Sequence, residues 1–298
     1  VDGRVPVPEV SVKLSAYPVH YEQYALDTLR LEIALDSTGT VHAPMVRARK
    51  KRSLLDVQGE ATLLKPGAAG LRDSINLALT SNRIRLFLEE FTDSLRGRIE
   101  ADVDIAGPPR YPSGSISIRA GDLVLGFQRI DTAAATLHSN GDTAYLDSLR
   151  VWPVPEASVY AEGRIATDSS YSFSLNSTKV PISALGPLKG VGGLGGFLVL
   201  DGETEGRLPQ RRASLRARFS DLTYRDSELR DLSAEARLRD TSLHVNVSQQ
   251  FRVDARLNTD SRRFSLESAL DNVELAPYLA IGGLSTWNGR IAGTDRKS

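Results

Sequence analysis

The residues that could do chemistry are few and scattered. A glycine-rich run, Gly190-Val-Gly192-Gly193-Leu-Gly195, has the spacing with which a dinucleotide-binding loop wraps a pyrophosphate. Such a loop needs a strand before it, a helix after it and an acidic residue about twenty positions further on. Here a proline-broken stretch precedes the run and an alternating one, Phe197-Leu-Val-Leu200, follows, so it reads as a flexible joint. His20, His42, His138 and His244 lie far apart, without the H-x-x-x-H pairs or clustered carboxylates of a metal site. No serine stands in G-x-S-x-G, and cysteine is absent. We expect no catalytic residues, no metal, no cofactor and no enzymatic activity.

Charge gives one further candidate. The run Arg47-Ala-Arg-Lys-Lys-Arg52 could fork onto lipid phosphates. It reads more simply as a solvated edge or loop, where charge also discourages edge-to-edge association. Arg211-Arg212 and Arg262-Arg263 sit at turn positions and read the same way. Lys plus Arg and Asp plus Glu are 37 each, so the chain has no basic excess and nucleic acid is not an expected partner.

The elements around these residues are almost all strands. From Gly107 to Leu137 the sequence is a glycine-proline corner, an alternating run (Ile116, Ile118), a Gly-Asp turn at 121–122, a second run (Leu123, Leu125, Phe127) and a third. Period-two alternation between turn residues predicts half-buried antiparallel strands. The plan recurs from Gly3 and from Gly206, with Pro6, Pro109 and Pro209 close behind the three glycines. The chain therefore divides into repeats of about a hundred residues, 3–106, 107–205 and 206–298, in one continuous array. A turn at Lys65-Pro-Gly67 falls within the first. Short helical pieces are expected at Leu86–Phe91, in 181–190 and at Leu275–Ile281. The alternation runs through the boundary at 94–107, and the last residues are in phase with another copy, so we expect a piece of a longer protein.

A sheet of such strands has one apolar face. Its residues are Leu29, Leu31, Ile33, Ile75, Leu77, Ile99, Val103, Ile116, Ile118, Leu123, Leu125 and Phe127, then Phe173, Leu215 and Phe219. Leu243, Val245, Val247, Phe251, Val253, Leu257, Phe264 and Leu266 complete it. Glu100, Asp102 and Asp104 alternate on the other face. With strands about 4.8 Å apart, an elongated antiparallel sheet curled about its long axis would line a trough with these side chains. Alternation alone admits a filled core as readily as an open trough.

Three stretches carry a resemblance: LFLEEFTDSLRGRIEADVDIAGPP (86–109), ISALGPLKGVGGLGGFLVLDGETEGRLP (182–209) and APYLAIGGLSTWNGRIAG (276–293). A leucine-rich short helix followed by L-x-G, alternation, glycine and a proline corner resembles the AsmA-like superfamily, in particular the periplasmic domain of TamB-type translocation and assembly module proteins. The resemblance implies a mostly β fold with a U-shaped hydrophobic groove. It implies phospholipids as partners, their acyl chains conducted between the inner and outer membranes of a diderm bacterium. A periplasmic location would follow, with an inner-membrane anchor outside this chain. The family's docking domain, which would meet an outer-membrane β-barrel, has no matching residues here. Two readings of other classes stay open: an assembly factor acting on β-proteins through its sheet edge, and a structural repeat protein.

Overall fold

The computed structural model describes the chain apart from residues 1–8, 22–23, 39, 64–74, 109–110, 127, 187–192, 225–226, 230, 249–250, 259–263, 275–289 and 298. The protein is mostly β, and every described strand pairing is antiparallel. It divides into two compact units, Val1–Gly126 with Thr132–Leu149, and Phe127–Asp131 with Arg150–Ser298. Of the sequence-based expectations, Gly3, Pro6, the 65–67 turn, Pro109, Phe127, Gly190–Gly192 and Leu275–Ile281 lie outside the described residues.

The first unit contains β1 (Val10–Ala16), a small hairpin of β2 (Val19–Tyr21) and β3 (Tyr24–Leu26), β4 (Thr28–Leu35), β5 (Thr40–Lys50), β6 (Ser53–Leu63), β7 (Ile75–Phe87), β8 (Leu95–Gly107) and β9 (Ser113–Leu125). β1 pairs with β4, and β4 to β9 form a meander. β10 (Gln128–Asn140) and β11 (Thr143–Val154) follow. The second unit contains β12 (Ala157–Ala166), β13 (Ser170–Ser177), β14 (Val180–Pro181), β15 (Leu194–Arg207), β16 (Gln210–Tyr224), β17 (Ser227–Glu228), β18 (Leu232–Arg239), β19 (Ser242–Ser248), β20 (Phe251–Asn258), β21 (Phe264–Glu274) and β22 (Arg290–Lys297). Its long strands again pair in chain order.

Two phase shifts in the alternation become bulges. On β5 the apolar residues are Val41 and Ala43 and then Val46 and Ala48, and one extra residue sits between Ala43↔Gly59 and Val46↔Val57. On β7 the set changes from Leu77 and Leu79 to Ile84 and Leu86, with an extra residue between Ser81↔Val103 and Ile84↔Ala101. An extra residue in one strand restores the match between apolar side and sheet face, and it bends the strand. The spacing of Leu86 to Phe91, which reads as helical in sequence, instead ends β7 at Phe87 and leaves one 3-10 turn, Leu88–Glu90.

The Gly-Asp pair at 121–122 is also a bulge rather than a turn. β9 continues through it, with an extra residue between Arg98↔Gly121 and Arg96↔Val124. Asp122 takes the left-handed conformation (φ 53°), and Gly97 opposite has φ 122°. The same device returns 99 residues later in β15 and β16: Gly196 at 122°, Asp221 at 53°, and an extra residue between Gly195↔Thr223 and Phe197↔Ser220. Leu123 and Leu222, each next to its bulged aspartate, are both buried. These two strand pairs therefore share one backbone conformation at positions 99 residues apart.

The 3-10 turn of the first unit is fixed by two carboxylates. Glu90 is buried and accepts the backbone N–H of Arg52 (3.0 Å) and of Ser53 (3.1 Å). Glu89 pairs with the Arg52 guanidinium and accepts the N–H of Gly97 (3.2 Å). The β5–β6 hairpin, the 3-10 turn and the bulge on β8 are thereby tied together. Burial opposes ionisation of Glu90, but the Ser53 hydroxyl, the two backbone N–H groups and Arg52 outweigh it, so its pKa is lowered.

A side chain at Gly97 or Gly196 would meet backbone oxygens of the bulge, and φ there suits glycine alone. Gly97→Val or Gly196→Val should therefore cost about 1–3 kcal/mol in urea unfolding. Because the folded-state pKa of Glu90 is depressed, its stabilisation is complete above the ordinary glutamate value of 4.5 and is lost as pH falls through the folded value. Glu90→Gln should melt lower than the parent at neutral pH, with the difference shrinking as pH falls below 4.5 toward the folded value.

Candidate functional site: an uncovered apolar sheet face

Residues directly opposite each other in an antiparallel pair share a side of the sheet. In the first unit this rule joins Leu14↔Leu31, Leu31↔Val46 and Val46↔Val57 into one row. A second row runs Ala61↔Leu77 and Leu77↔Gly107, and a third Ser81↔Val103 and Val103↔Ile116. Leu29, Leu31, Ile33, Leu77, Ile99, Val103, Ile116, Ile118 and Leu125 all belong to this face. Ile75 pairs with Leu63 through its backbone, its side chain being outside the described residues.

The second unit repeats the arrangement. Leu215 pairs with Gly202 on one side and Ala236 on the other, Ala236 with Val245, and Val245 with Ala255. Phe219, Leu243, Val247 and Leu257 keep the same parity, and Phe173 pairs with Gly163. Phe251, Val253, Phe264 and Leu266 occupy described backbone positions in β20 and β21, with side chains outside the description.

This face is not a filled core. Val12 is 52% exposed, Leu79 40% and Leu215 43%. Ile116, Ile118, Phe173 and Phe219 are half-buried. The buried apolar residues of the second unit include Val180, Ile182, Leu198, Leu222 and Tyr224. They belong to the end of β15 and β16 near the 3-10 turn Ile182–Ala184. Leu123 shares the parity of Leu125 on this face and is buried there, at 8% exposure beside Gly97. Among the described residues, packing is therefore concentrated near the bulges and 3-10 turns, and the other apolar residues of each face keep part of their surface in solvent.

Glycines level the surface. Gly163 lies under the Phe173 ring and Gly202 under Leu215, so a Cβ at either would strike the facing side chain. A large side chain laid over a glycine fills space without projecting far. On the first unit, Val41, Ala43, Ala61, Leu77, Leu79 and Ile105 line a shallow concavity of about 340 Å³. Among the described residues no group of three or more His, Cys, Asp or Glu is placed to hold a metal ion.

The opposite face carries charge in register. Lys13 and Glu32, Arg47 and Asp56, Arg85 and Glu100, and Arg216 and Glu235 are ion pairs between directly facing residues. The basic run is part of this pattern. Arg47 to Lys50 end β5 inside the meander and Lys51-Arg52 turn the hairpin, so the run is not a sheet edge. Asp36, at the turn before β5, is held far below the usual carboxylate range by the Thr38 hydroxyl, His42 and the Thr40 N–H.

The apolar partners contributed by β1, by β5 after its bulge and by β7 after its bulge were not among the sequence-predicted face. Val12, Leu14, Val46, Ile84 and Leu86 follow from the register. The phase shift itself was the available signal. No protein-family model, curated protein or solved structure matches the chain.

The contrast between open face and packed end is measurable. Leu79→Ala and Leu215→Ala should change unfolding free energy by less than about 1 kcal/mol. Leu198→Ala or Leu222→Ala, in the buried cluster, should cost about 2–4 kcal/mol in the same urea titration.

Proposed function

We propose that this chain is a stretch of a lipid-conducting β-groove in which phospholipid acyl chains lie along the apolar face while their headgroups stay in water. The observation that carries this reading is the half-exposed apolar row that continues from strand to strand in each unit. Apolar surface of this extent left to water is unfavourable, and a contiguous exposed patch commonly marks a binding surface. Acyl chains suit it because they ask for no directional bond.

The levelled surface fits movement as well as binding. Each acyl CH₂ taken from water contributes roughly 0.8 kcal/mol wherever it lies on a uniform face. Many weak contacts hold the chain without one deep trap. The resemblance to AsmA-like proteins supplies the setting we propose with it: the periplasm of a diderm bacterium, with lipid passing between its two membranes. A structural repeat protein with a filled core is less well supported, because its apolar face should be covered.

A charge on the face should interrupt the track. Displacing two or three methylenes costs about 2 kcal/mol, roughly thirtyfold in occupancy at that point. Ile118→Asp and Phe219→Arg should therefore fold as the parent does by circular dichroism yet slow fluorescent phospholipid transfer between donor and acceptor vesicles. Native mass spectrometry of protein purified without detergent should find phospholipid on the parent chain. Undiminished transfer by both variants, or a parent chain that carries and accepts no lipid, would sink the proposal.

A further inference from the structure

The polar face of the first unit gathers charge that the apolar track does not use. Arg49, Leu54, Arg85, Glu100 and Arg119 occupy successive directly paired positions from β5 to β9. In the neighbouring row Arg30 faces Arg47, which faces Asp56. The β7 bulge adds Arg83, 3.8 Å from Asp56. Together these rows line a concavity of about 830 Å³ in which seven arginines meet three carboxylates. The whole chain is neutral, so this is a local segregation of charge.

The carboxylates do not neutralise it. Asp56 accepts both Nε (3.1 Å) and Nη2 (2.6 Å) of Arg47, and Glu100 accepts from Arg85 (2.9 Å). Arg52 is held by Glu89 and Glu90. Among the described residues no ion pair reaches Arg30, Arg49 or Arg119. Arg30 gives its Nε–H to the Tyr17 hydroxyl (2.7 Å) and Arg49 to the Lys51 carbonyl (3.0 Å), which leaves their terminal nitrogens for another acceptor. Like charges directly across a strand pair oppose folding, and Arg30 faces Arg47 in this way. Bulges on β5 and β7 flank the same hollow, and bulges commonly re-aim side chains at sites.

We propose that this concavity binds a compact anionic ligand that presents one or more phosphate groups. Guanidinium forks match phosphate oxygens two at a time and keep their charge at every physiological pH. A soluble oligophosphate and a phosphorylated lipid headgroup share that chemistry. The site is independent of the apolar track, since it lies on the other side of the same strands.

The test uses the whole chain. Tripolyphosphate is titrated by calorimetry, and flotation is measured with phosphatidylcholine vesicles with and without phosphatidic acid. Tripolyphosphate should bind, and Arg49→Gln with Arg119→Gln should weaken it at least about tenfold, as expected for lost charge-assisted bonds. Arg30→Gln is an independent second variant should the pair fail to fold, and Arg237→Gln, in the second unit, should bind like the parent. Binding only to phosphatidic acid vesicles, abolished by the same substitutions, would assign the site to a headgroup. No binding in either arm, or equal losses from Arg237→Gln, would overturn the proposal.

Discussion

Two residues facing each other across an antiparallel pair share a side of the sheet, and in this chain that parity ties together positions far apart in sequence. Leu14, Leu31, Val46 and Val57 fall on one side because each pairing preserves what the previous one set. A slip of one residue would turn a whole strand over. Where the alternation itself slips, at Ala43 to Val46 and at Ser81 to Ile84, the backbone takes up the extra residue as a bulge. The apolar face and the arginine face are two consequences of this single rule.

Stability and openness are divided within each unit. The strands hold one another through continuous backbone ladders and through facing ion pairs such as Arg47 with Asp56. Among the described residues side-chain packing is densest near the bulges and 3-10 turns, where Val180, Ile182, Leu198 and Leu222 are buried in the second unit and Leu123 in the first. An apolar face can remain accessible because the ladder does not depend on covering it. The glycine under Phe173 and the glycine under Leu215 keep that face smooth.

Much of this was legible in the sequence because alternation is local. The strands containing Ile116, Phe173, Leu215 and Val245 follow directly from period two. What failed was information that resides in the partner strand. Gly121-Asp122 has turn chemistry, and Asp122 does adopt a left-handed conformation, but the ladder to β8 carries the strand onward. Leu86 to Phe91 has helical spacing because a strand end, a 3-10 turn and a bulge-shifted phase lie side by side. The arginine rows could not be read at all, since Arg49, Arg85 and Arg119 become neighbours only through register.

Parity also gives the most direct test of the central claim that acyl chains lie on one face. A photo-crosslinking residue is placed in turn at Val103, Asp104, Ile118 and Arg119, and again at Leu215 and Arg216, in protein loaded with radiolabelled phospholipid. The account predicts lipid adducts at Val103, Ile118 and Leu215 and little or none at their immediate neighbours. Adducts without that alternation, or none at the apolar positions, would contradict it.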